Sequence, residues 1–70
     1  MGRVAAIGEA VRVQGLALAG VLVLPGEEPA AVRASWAALP SDVAMVMLTP
    51  LAAGALGEQR LTRLTVVMPP

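Results

Sequence analysis

Four short apolar runs lie along the chain at nearly even spacing: Val4 to Ile7, Val21 to Leu24, Val43 to Leu48 and Leu64 to Met68. Each is apolar at almost every position instead of alternating with polar residues. Such a strand needs cover on both faces, which parallel strands flanked by helices obtain. Ala-rich stretches follow each of the first three runs. The pattern predicts β-α-β-α-β-α-β, an α/β fold with a four-stranded parallel sheet and three helices.

The intervening residues set the helix ends. Gly8 stops the first strand, and Glu9 places an acid at the start of a helix expected over Glu9 to Ala19. Gly15 falls inside that helix, where close packing on the sheet would explain it, and Gly20 supplies the stop. Pro25-Gly26 turns the chain, and Glu27, Glu28 and Pro29 mark a second helix start. Val32, Trp36 and Leu39 then share one helical face, with Arg33 turned away; Pro40 ends the helix. The longest run, Val43 to Leu48, predicts a central strand. Thr49-Pro50 starts a third helix with a Thr cap, and Leu51, Ala52, Ala55 and Leu56 are its expected buried stripe. Gly57 weakens that helix before Arg60, and Pro69-Pro70 stops the last strand.

Right-handed crossovers narrow the winding. If the first crossover steps one way and the chain then reverses, the strand order is 2-1-3-4, the flavodoxin- and receiver-like arrangement. The first helix then lies on one face and the other two on the opposite face. One helix cannot shield four strands, so the face beneath strands three and four is expected to be bare. Large exposed apolar patches usually mark interfaces, so a partner helix or self-association is expected there.

Composition limits the chemistry. Seventy residues form one small domain, residues 1–70, which buries only about 60% of its unfolded surface. Cysteine, histidine and lysine are absent, which removes disulfides, thiolate metal sites and the commonest general base. Five arginines balance five acids, and zero net charge argues against nucleic acid. Although 57% of residues are hydrophobic, the charge-free stretches Val13 to Gly26 and Val43 to Gly57 fall short of the roughly 20 residues a membrane span needs. A charged N-terminal segment breaks any signal-peptide core, so a cytoplasmic location without membrane insertion is expected.

Three catalytic readings fail on residue type. Gly8-Glu9 lacks the glycine spacing of a nucleotide loop and puts an acid where an anion would bind. A phosphoacceptor receiver needs an Asp ending the third strand, an acidic pair after the first and a later Lys; here stand Thr49, Gly8-Glu9 and no Lys. Glu27 and Glu28 are adjacent and splay apart, reading as a solvated pair favouring a helix start. Ser35, Ser41, Thr49, Thr62 and Thr65 have no activating base in prospect. Trp36 reads as core before it reads as an interface anchor. No catalytic, metal-binding or cofactor-binding residue is expected.

Several segments together resemble the F subunit of V-type and A-type rotary ATPases. Arg3-Val4-Ala5-Ala6-Ile7-Gly8 looks like that family's first strand and turn. Val13 to Val21 is similar to its Gly-aromatic-x-Leu-Ala-Gly-Val segment, with Leu16 in the aromatic position. Asp42 to Thr49 resembles the third strand ending in Leu-Thr, and Leu64 to Pro69 the final strand ending in Met-Pro. The chain departs from the family in a shorter loop at Gly8-Glu9 and in lacking the helical segment that usually follows the final strand. It reads as a copy shortened at the C-terminus.

The resemblance implies a non-catalytic central-stalk subunit that docks on the helical D subunit. It would sit peripheral to the membrane within a proton- or sodium-translocating ATPase, alongside the other subunits. The expected contact surface is the third helix and last strand, with Leu51, Leu56, Arg60 and Arg63, the arginines meeting acids on a partner helix. The alternative is a free-standing module that homodimerises through the uncovered sheet face.

Overall fold

The computed structural model describes residues 2–70. The elements run β1 (Arg3–Gly8), α1 (Ala10–Val13), a 3-10 segment (Gln14–Ala19), β2 (Leu22–Pro25), α2 (Pro29–Ala37), β3 (Val43–Leu48), α3 (Pro50–Leu56), a second 3-10 segment (Gly57–Thr62) and β4 (Thr65–Val67). All strand pairs are parallel, and the order is β2-β1-β3-β4. This is the α/β fold and strand order that the apolar runs predict.

Strand register assigns the two faces. Ala5 pairs with Val46 and Leu22, Ile7 with Leu48 and Leu24. These residues line the side covered by α2 and α3, where they join Val32, Trp36, Leu39, Ala52 and Leu56 in one core. Val32 and Trp36 lie four residues apart, so one turn of α2 delivers both to the sheet. Trp36 is therefore core.

The opposite side is more thinly covered. Ala6 and Val13 are fully buried yet lie outside the main core cluster, and α1 packs on β1 and β2. The helix expected over Glu9 to Ala19 is instead one α-turn followed by the 3-10 segment. That segment buries no residue, and Leu18 is almost wholly exposed. Gly15 faces open space, so close packing is not its role. The stretch is apolar nearly all round, and a helix without a distinct polar face has no single orientation to the sheet. Gly20, at φ 82°, closes the segment by donating to Leu16 and Ala17 carbonyls.

α3 departs from its expected stripe. Ala52 and Leu56 are buried and Ala55 is half-buried, but Leu51 is 43% exposed. Gly57, at φ 57°, ends the helix outright. The last run contributes only Thr65–Val67 to the sheet.

Candidate functional site

Open α/β sheets bind ligands where the winding reverses, beyond the carboxyl ends of the strands on either side. Here that point lies between β1 and β3, and the residues leaving the strands there are Glu9 and Thr49. Thr49 is fully buried. Its hydroxyl donates to Glu9 Oε1 at 2.6 Å and accepts from the Ala52 N–H at 3.3 Å. The Thr cap expected at α3 is thus present. The hydroxyl also holds the Glu9 carboxyl below its ordinary pKa, ahead of a smaller contribution from a hydrogen bond to Glu9's own backbone.

This pair corrects the expectation that Thr49 has no base nearby. A carboxylate does face it, but burial and the two bonds fix the hydroxyl in place. A carboxyl with a lowered pKa is also a poor proton acceptor. A Cβ added to Gly8 would run into the Thr49 side chain, so the crevice is filled by the protein's own atoms. Glu27 does not serve the start of α2. Its Oε2 accepts from the Ala10 N–H at 2.7 Å, placing a carboxylate at the start of α1. Neighbouring Glu28 is the N-cap residue of α2 and makes no side-chain cap bond. Among the described residues no cluster of three acids could hold a metal ion, and no helix is long and apolar enough to cross a membrane.

The four residues expected to dock a partner lie in different settings. Leu56 is 5% exposed and belongs to the core. Leu51 is on the surface. Arg60 is half-buried and lines a shallow groove of about 480 Å³ with Pro50, Ala53, Gly54, Leu61 and Val67. Arg63 is also half-buried and turns back, donating from Nη1 to the Val43 carbonyl at 3.3 Å.

No protein-family model, curated protein or solved structure matches this chain.

An apolar surface over β3 and β4 follows from the register. Val4 pairs with Met45, Ala6 with Met47, and Met47 with Val66. Alternation puts Leu64 and Met68 on the same side as Val66. Val4, Met45, Met47 and Met68 are half-buried, while Leu64 is 66% and Val66 45% exposed. Among the described residues α1 packs on β1 and β2 and its 3-10 extension on β2, leaving the side chains of β3 and β4 on this face without a helix above them. Arg12 edges this surface, its Nη2 donating to the Pro69 carbonyl at 2.6 Å. Of the residues expected at a partner contact, Leu56 lies in the core, and none of the four belongs to this apolar face. The signal that places Leu64, Val66 and Met68 on this face is the parity of β4 relative to β3.

Proposed function

We propose that the chain is a non-catalytic docking module whose contact surface is the sheet face over β3 and β4. Its partner is the helical D-type subunit of a V/A-type rotary ATPase central stalk. In that setting the module lies in the cytoplasm, peripheral to the membrane, and takes part in ion-driven rotation without a catalytic site of its own. The observation that carries the docking reading is the apolar strip Met45, Met47, Leu64 and Val66, which has no covering helix among the described residues. An apolar helix laid across it would supply the missing layer of an α/β sandwich. The choice of partner rests on the resemblance of the strand and Leu-Ala-Gly-Val segments. Arg12 at the edge of the strip suits an acidic flank on such a helix.

Isolation of the native chain under mild conditions tests the reading. Stalk and catalytic ATPase subunits are expected to accompany it, and Leu64→Asp is expected to release them while leaving the circular dichroism spectrum unchanged. Recovery of the native chain free of every ATPase subunit refutes the stalk assignment.

A further inference from the structure

β4 is a sheet edge without the features that normally protect one. Edge strands are commonly blunted by lysines, bulges, inward charges or a covering segment. At the other edge, β2 ends in Pro25 and packs with the 3-10 segment Gln14–Ala19. β4 has no charge within Thr65–Val67 and, among the described residues, packs chiefly on β3, and it is apolar on both faces: Val66 is 45% and Val67 41% exposed.

The backbone parity shows which groups face outward. Val46 N–H donates to the Leu64 carbonyl, and Met68 N–H donates to the Leu48 carbonyl. Even-numbered residues of β4 therefore bond to β3. The N–H and C=O groups of Thr65 and Val67 point away from the sheet, one pair on each side of Val66.

That arrangement is self-complementary. In an antiparallel pair related by a twofold axis at Val66, Thr65 faces Val67 of the second copy and Val67 faces its Thr65. Each of these pairs exchanges both backbone bonds. Val66 then faces Val66, and Leu64 faces Met68, so apolar side chains meet apolar side chains on the uncovered face. Arg63 falls opposite Pro69, whose carbonyl holds Arg12 of the same chain, but the Arg63 guanidinium turns back to the Val43 carbonyl of its own sheet. Pro69 has no N–H and ends the ladder at both limits.

We propose that β4 pairs antiparallel with β4 of a second copy, joining the two four-stranded sheets into one of eight. The occupant is a second copy because the donor, acceptor and side-chain patterns of this edge match their own reversal. The ladder is short, so the association is weak and driven by concentration. The inference is independent of the stalk assignment. The bonds lie in the plane of the sheet, and the face above it stays open.

Sedimentation of the full chain across a concentration series reads the association. The weight-average mass is expected to rise from that of one chain toward that of two. Val67→Pro removes an outward N–H without touching the bonds to β3, and is expected to abolish the dimer while leaving the circular dichroism spectrum of the monomer unchanged. A cysteine provides a second readout, because the natural chain has none. In a non-hydrogen-bonded antiparallel pair the opposed Cα atoms lie about 4.5 Å apart, within disulfide reach. Val66→Cys is expected to oxidise readily to a covalent dimer, whereas Leu18→Cys, on the exposed 3-10 segment, is not. A monomer at every concentration overturns the proposal. So does a dimer that survives Val67→Pro, or Val66→Cys cross-linking no faster than Leu18→Cys.

Discussion

Thr49 and Glu9, forty residues apart in sequence, meet through a 2.6 Å hydrogen bond at the carboxyl ends of the two central strands. The bond joins the start of α3 to the turn after β1, closing the point where this winding would otherwise open to a ligand. Thr49→Val keeps the shape but removes both this bond and the cap on Ala52. A lost Thr cap costs about 0.5–2 kcal/mol. A drop of that size in urea-unfolding stability is expected, with less than additive loss when Glu9→Gln is combined with it.

The same pair makes stability fall in acid. The folded-state pKa of Glu9 lies below its ordinary 4.5, chiefly because of the Thr49 hydroxyl. Its stabilising contribution is complete above 4.5 and is lost as pH falls through that value toward the lowered one. Asp42, held below its ordinary 3.8 by its hydrogen bond with Arg3, adds a further loss at lower pH. The gap between natural chain and Glu9→Gln in urea midpoint is expected to narrow on acidification below 4.5. A gap constant down to about pH 3 would contradict this linkage.

Gly8 is required by the same contact. Gly8→Ala pushes a methyl group into Thr49, and overpacking of this kind costs about 1–3 kcal/mol. Thr49→Ala trims the obstructing side chain, so part of that cost should disappear in its background. A double-mutant cycle is expected to give a coupling above roughly 0.5 kcal/mol.

Leu51 and Leu56 separate surface from core. Truncating the buried Leu56 to Ala is expected to cost about 2–5 kcal/mol, a large share of a small domain's stability. Leu51→Ala is expected to change stability by less than about 0.5 kcal/mol unless it disturbs the helix itself. Thermal melts of the two variants distinguish them directly.

Gly15 offers a stabilising substitution. No neighbour lies within 4 Å of an added Cβ, and its φ is not positive. Gly15→Ala is expected to stabilise by about 0.4–1 kcal/mol through the unfolded chain. In a domain this small, 1 kcal/mol corresponds to a rise of about 4–8 °C in Tm. An unchanged or lower Tm would show that the 3-10 segment needs the glycine.

The strands were readable because two-sided burial leaves a continuous apolar run, and β3 has the predicted limits, Val43 and Leu48. α2 was readable because Val32, Trp36 and Leu39 share a face and Pro40 closes it. The first crossover was not. Leu16, Ala17, Leu18 and Ala19 offer no polar face to set an orientation, so helical propensity stood in for packing and gave a helix that is too long. Leu56 was assigned to both stripe and surface, although one side chain cannot serve both. The Glu9–Thr49 contact depends on which strand ends become neighbours, a matter of topology and not of local pattern. Applying the 2-1-3-4 order to the residue after each strand would have found it.

β1 has a kinetic consequence for the way the domain is made. It leaves the ribosome before every other strand, yet it lies in the middle of the finished sheet, between β2 and β3. Until Leu48 has emerged, one flank of this apolar segment has no mate, and long-range parallel pairing forms slowly. The nascent chain thus passes through an interval in which a premature stop, or a crowded neighbour, can capture the open flank before β3 arrives.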